Sequence, residues 1–169
     1  SFSCCERYKM EKSIIYFERK GVENTNKTIE AAKKRAEELG IKDIIVATTH
    51  GGTALKAAEV FSKTNANLIA VSISESFKRE GWVMTKEERE KLQAKGVKVL
   101  TCIHSLGGGV SRSFSEKFGG LSIEEIIRET LYRFSQGMKV CVEIVIMVAD
   151  AGLIDVNKEV IAIAGTDSG

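Results

Sequence analysis

The chain has 169 residues, 43% of them hydrophobic and 28% charged, which suits a single globular domain with a real hydrophobic core. A net charge of +2 and a pI near 8.3, with lysine and glutamate interspersed, argue against a dedicated nucleic-acid binder. The longest apolar stretch, Val140 to Ala151, is too short for a bilayer and contains Glu143 and Asp150, so no membrane residence is expected.

The cysteines are Cys4, Cys5, Cys102 and Cys141, without framework spacing and without an apolar leader before them. Reduced thiols and a cytoplasmic location are the expectation. Residues 1–12 read as an N-terminal extension, with Met10-Glu11-Lys12 as a start, and residues 13–169 as a single α/β domain. The chain holds no proline, so turns fall to Gly, Asn and Asp.

In chain order, Ser13 to Arg19 is predicted as a short strand. Asn24-Thr25-Asn26 then offers N-cap side chains for a helix to about Leu39, with Ile29, Ala32, Ala36 and Leu39 as its apolar stripe and Gly40 as its stop. Ile44 to Ala47 is an unbroken apolar run, as in a parallel strand covered on both faces. It breaks into Thr48-Thr49-His50-Gly51-Gly52-Thr53, and a helix with a small face (Ala54, Ala57, Ala58, Phe61) follows to about Ser62.

Leu68 to Ile73 is the next buried strand, opening into a loop with Ser72, Ser74, Phe77 and the only tryptophan, Trp82. Thr85 with Glu88 predicts a capping box for a helix that Gly96 ends. Val97 to Cys102 reads as a strand, and Ile103 to Ser113, carrying His104, Gly107-Gly108-Gly109 and Arg112, as a candidate lid. Ser122 with Glu125 predicts another capped helix, whose face is Ile123, Ile126, Ile127, Leu131 and Phe134. Gln136 to Gly152 has strand-like propensity but helical length, and we read it as a buried helix. Glu159 to Ala164 is the final strand, entering Gly165-Thr166-Asp167.

This alternation predicts an α/β fold: a three-layer α/β/α sandwich on a mostly parallel sheet of about five strands. Ligands of such sheets sit at the carboxyl ends of the strands. The loops there are Thr48–Thr53, Ser72–Ser76, Cys102–Ser113 and Gly165–Gly169, all rich in Ser, Thr and Gly. The first resembles a phosphate cradle, with close-approaching backbone N–H groups at a helix N-terminus, although it is no Walker loop. Gly107, Gly108 and Gly109, followed by Ser111-Arg112-Ser113, read either as a second anion nest with Arg112 as its charge or as a flexible surface loop. His50 and His104 share the same predicted edge as general bases or hydrogen-bond donors, or as ordinary loop histidines. Cys102 with His104 lacks a second ligand pair at zinc spacing, so no metal is expected.

The run Ile44-Ile-Val-Ala-Thr-Thr-His-Gly-Gly-Thr-Ala54, its flanking helices and Leu68-Ile-Ala-Val-Ser72 resemble the C-terminal domain of pyruvate kinase. So does the later buried helix followed by Glu159-Val-Ile-Ala-Ile-Ala-Gly165. The likeness covers roughly residues 24 to 103 and 136 to 169, and is to the stand-alone archaeal and bacterial relatives of that domain. It implies a sheet ordered 3-2-1-4-5, with Ile44–Ala47 beside the last strand. It also implies a domain without catalytic residues, whose Thr48–Thr53 loop, helped by Gly165 onward, binds sugar bisphosphates where such regulation exists. The kinase's loop usually has a Ser-Gly-Arg core, whereas this one has no Arg, and residues 102–134 have no clear counterpart.

One phosphate plus a flat group, as in flavin mononucleotide (FMN), fits this loop at least as well, with Trp82, Phe77 or Leu106 to cover the ring. Three functions remain open: a binding protein for a phosphorylated small molecule; an enzyme using that ligand through His50, His104 and Asp167; or a regulatory, homo-oligomerising module. Asp150 also invites an acid/base reading, but its place near a helix end favours a structural one.

Overall fold

The computed structural model describes residues 12–166. Four strands, β1 (Asp43–Ala47), β2 (Asn67–Ser72), β3 (Lys98–Thr101) and β4 (Val160–Ile163), form an all-parallel sheet in the order β3-β2-β1-β4. Ile45 pairs with Ile69 on one side and Ala162 on the other. The first and last strands are therefore neighbours, as the resemblance implies.

Successive β1 side chains go to opposite layers. Ile44 and Val46 pack into a core with Ile29 of α1 (Thr25–Leu39) and Ala54 and Ala57 of α2 (Gly52–Val60). Leu92 of α3 (Lys86–Ala94) completes that side. Ile45 packs into the other core with Ile144, Met147 and Val148 of α6 (Gln136–Asp150). With both faces covered, β1 has no reason to alternate, which explains its unbroken apolar run. The two layers of helices around the sheet are the expected three-layer sandwich.

Local signals account for most boundaries. Gly40 closes α1 at φ 67, a left-handed conformation that costs glycine little. Thr85 caps α3 by accepting from the Glu88 backbone N–H while the Glu88 carboxylate accepts from that of Thr85. Ser122 and Glu125 make the same reciprocal pair at α5 (Ile123–Tyr132). The stretch with strand propensity, 136–150, is helical, and its Ile144, Met147 and Val148 are buried.

Several expectations need correction. Ser13 to Arg19 forms no strand: Ile14 and Tyr16 are exposed and no strand among the described residues pairs with them, and β propensity without a pleated neighbour carries no stability. The sheet thus has four strands among the described residues rather than about five. Asn24 does not cap α1 with its side chain; its Nδ2 donates to the Arg19 carbonyl at 2.7 Å. Leu39, the last residue of α1, is exposed. The Gly-rich segment after β3 is shorter than expected, because α4 (Gly109–Phe118) begins inside it. The apolar face of α5 is exposed at Ile123, Ile126, Ile127 and beyond it at Phe134. Cys4, Cys5, the proposed start at Met10, and Asp167 lie outside the described residues.

Candidate functional site

Because all four strands are parallel, their carboxyl ends and following loops meet on one side of the sheet. They border a broad cleft of about 1400 Å³, roomier than the roughly 300–1,000 Å³ of an ordinary small-molecule pocket. Ten of the residues singled out from sequence line it: Thr48, Thr49, His50, Gly52 and Thr53 from one loop, and Ser72, His104, Arg112, Gly165 and Thr166 from elsewhere. Gly51, Ser74, Gly108 and Gly109 do not. Gly51 is buried against Leu92 and serves the backbone instead, taking φ 87 to turn the chain into α2. Ser74 acts through its backbone, and Gly108 and Gly109 pack on Ile103.

The start of α2 has no side-chain cap. Its first-turn N–H groups are therefore not satisfied by a capping side chain, and Gly52 and Thr53 of that turn border the cleft. Thr48 N–H is committed to the Val71 carbonyl at 3.0 Å, tying the loop to the sheet. His50 Nδ1 lies 3.2 Å from Glu88 Oε2. The Glu88 carboxyl is held below its usual range first by the Thr85 N–H and then by His50. Ser72 is buried, and its hydroxyl is hydrogen-bonded to that of Thr101, which also accepts from Arg89 Nη2 at 2.6 Å.

One wall of the cleft is aromatic. The rings of Phe77 and Trp82 stack at 5.8 Å and 16°, and Phe77 and His104 at 5.7 Å and 27°. The Arg112 guanidinium sits 5.7 Å over Phe77. His104 Nε2 accepts from the Ser74 N–H at 3.3 Å, which leaves the ring proton on Nδ1. Burial pulls the His104 pKa below its ordinary value; Lys139 and Arg112 push the same way, and Glu143 opposes. His104 is thus a neutral donor on the cleft wall. Leu106 is buried and outside the cleft lining, so it cannot cover a ring there.

The sequence reading missed Lys139 and Glu143. Both are buried on α6, and Lys139 Nζ donates to Glu143 Oε2 at 2.5 Å. The other carboxylate oxygen of Glu143 accepts from the Leu106 N–H at 2.9 Å, and Lys139 lies over Tyr132. Both line the cleft. A Lys and a Glu four apart inside an apolar run are on one helix face, which was the available signal. Other cations at the cleft also hold carboxylates: Arg112 with Glu116 at 2.7 Å, and Arg128 with Glu129 at 3.2 Å. Asp150, at the end of α6, lies outside the cleft lining. Among the described residues, no group of three His, Cys, Asp or Glu is arranged to hold a metal ion.

A three-layer α/β/α domain with a cleft at the carboxyl edge of an all-parallel sheet is the class of protein this geometry defines. Residues 26–169 match the family described as pyruvate kinase, alpha/beta domain, and the chain belongs to that family. Among solved structures, it is similar to a pyruvate kinase from Cryptosporidium parvum, at 17% identity and a TM-score of 0.44. That match covers 87% of this chain and 22% of the enzyme. It is also similar to an O-ureido-L-serine synthase, at 21% identity and a TM-score of 0.36, over 57% of this chain and 30% of that one. The chain thus spans less than a third of either protein. Among the described residues, no helix is long and apolar enough to cross a membrane.

Proposed function

We propose that the protein binds a phosphate-bearing small molecule in this cleft, with the phosphate at Thr48–Thr53 and a planar group on the aromatic wall. The observation that carries the reading is that one cleft joins an uncapped helix N-terminus to a stacked Trp82–Phe77–His104 wall. Backbone N–H groups and the helix dipole stabilise a phosphate without a cation. That matters here, because Arg112 and Arg128 already hold carboxylates. Gly165 and Thr166 border the same cleft from β4. FMN matches both halves of the site, whereas a sugar bisphosphate has no planar group for the aromatic wall.

An enzymatic use of the bound ligand would draw on His50 and His104, which both line the cleft. The binding reading is preferred because His50 Nδ1 pairs with Glu88 and His104 Nε2 accepts from the Ser74 N–H, so these two ring nitrogens are already engaged. A regulatory, self-associating cytoplasmic module is the remaining reading, and it is compatible with ligand binding.

The test is Gly52→Asp. Outside its chain neighbours and the backbone of its own helix, no described atom lies within 4 Å of a Cβ added at Gly52, and an acidic first-turn residue favours the helix, so the fold should persist. FMN, fructose bisphosphate and inorganic phosphate would be compared by thermal shift. A ligand at 100 times its Kd adds about 2.7 kcal/mol to the wild type. The variant should lose that increment, since its carboxylate repels phosphate; an unchanged increment would remove the loop from the site.

A further inference from the structure

The Lys139–Glu143 pair is not explained by the core around it. A buried ion pair adds little stability over apolar residues of similar volume, and perturbed charged groups gather at ligand sites. This pair borders the cleft, together with Val140 and Ile144 of the same helix. Glu143 acts on its neighbours: one carboxylate oxygen accepts from Lys139 Nζ and the other from the Leu106 N–H, in the loop of His104. It thereby ties that loop to α6, and His104 feels the charge of both members of the pair. The donors themselves keep capacity. An ammonium has three N–H bonds, and among the described residues Lys139 donates only to Glu143, with the Tyr132 ring 5.8 Å away. With Nε2 of His104 accepting from Ser74, the ring proton is on Nδ1, and no described residue accepts it. Among the described residues no buried side-chain nitrogen or oxygen lacks a partner, so this Nδ1 is accessible, on a residue that lines the cleft.

We propose that Lys139 and His104 form a donor pair for the carbonyl edge of a planar group bound in the cleft. The chemical class is a flat heterocycle with neighbouring carbonyl or ring-nitrogen acceptors, of which the dione ring of a flavin is an example. An accepting edge is selected because both groups with capacity are donors, while both Glu143 oxygens are engaged. A neutral acceptor is selected because Glu143 balances the Lys139 charge, and Arg112 and Arg128 already hold carboxylates. The donors stand where the aromatic wall ends, since His104 itself stacks on Phe77. A ring on that wall meets them at its edge, where a few placed polar groups fix the orientation of an otherwise apolar contact. Glu143 is then a positioning residue, holding Lys139 and the His104 loop in register.

This inference rests on the reading that a planar group lies on the aromatic wall, and its test separates the two halves of the ligand. The full chain and the double variant Lys139→Met/Glu143→Gln would be titrated with FMN and with inorganic phosphate by calorimetry. Met replaces the lysine stem without its charge, and Gln keeps an acceptor for the Leu106 N–H, so the fold should persist. The variant is expected to bind FMN about 10-fold to 100-fold more weakly, which is the scale of a lost charged hydrogen bond, and phosphate unchanged. The displacement of the flavin's visible bands on binding should shrink with it. Unchanged FMN affinity overturns the proposal, and so do equal losses for FMN and phosphate, which would make the pair a mere support of the cleft. Should the double variant fail to fold, His104→Phe decides, since it keeps a ring against Phe77 and removes the donor; the same outcomes apply. A wild type that binds phosphate but not FMN overturns this inference and leaves the Thr48–Thr53 reading standing. FMN binding that survives Gly52→Asp but falls in the double variant does the reverse, and a wild type that binds neither overturns both.

Discussion

The α6 helix and the α4–α5 pair are both amphipathic, and they meet opposite fates. On α6, Ile144, Met147 and Val148 are buried against β1 and β2, and the polar residues it also buries, Lys139 and Glu143, satisfy each other. On α4 and α5, the apolar stripes face out and the charged residues face the cleft. Amphipathicity says that a helix has two environments. It does not say that the apolar one lies within the same chain.

The comparison is sharpest where a side chain of one size sits in both regions. Ile69 is fully buried in the sheet, whereas Ile123 is 75% exposed. Ile69→Ala should cost about 4 kcal/mol, since it removes transfer energy and leaves a cavity in a two-sided core. Ile123→Ala should cost under about 0.5 kcal/mol when urea unfolding is followed at a dilution that keeps the chain monomeric. Equal costs at that dilution would mean that α5 has a partner within its own chain.

The next effect tests the polar part of α6. Glu143→Ala leaves Lys139 buried without its carboxylate and the Leu106 N–H without its acceptor. Breaking one side of a buried pair in this way should cost about 3 kcal/mol. Adding Lys139→Met should recover much of the loss by removing the orphaned charge. If the single variant unfolds at the wild-type urea midpoint, the pair is solvated and its place in the core is wrong.

The fold was legible where sequence signals are local or where an element is covered on both faces. Ile44–Ala47, the Thr85–Glu88 and Ser122–Glu125 capping boxes and Gly40 each state their own geometry. Length separated helix from strand for 136–150 where propensity misled. Ser13–Arg19 failed because a strand is completed by a neighbour that a local pattern does not contain. The start of α4 was hidden by the glycines before it, which look like loop until Val110, Phe114 and Phe118 are counted at helical spacing. Ten of fourteen candidate site residues line one cleft because a parallel sheet places successive loops on one edge. The aromatic stack was legible only in part: Phe77 and Trp82 share one loop, whereas the approach of His104 from the far end of β3 depends on tertiary packing.

The smallest effect lies at the seam between the two regions. His104 follows β3, stacks on Phe77 of the β2 side and feels the charge of Arg112 on α4. Its folded pKa is below the ordinary 6.5, with burial as the leading cause, so the unfolded chain takes up the proton first as pH falls. The stabilising contribution is therefore complete above about 6.5 and is lost as pH drops through the folded value. Protonation also costs Nε2 its bond from the Ser74 N–H. The lowered carboxyls of Glu88 and Glu125 act the same way, but only below their ordinary value of 4.5, so the two windows separate. His104→Gln, which keeps an acceptor for Ser74, should flatten the decline in urea-derived stability between pH 7 and 5 and leave the steeper acid loss below it unchanged. Identical slopes for both proteins between pH 7 and 5 would mean that His104 is open to solvent. The aromatic wall would then be a surface rather than one side of a cleft.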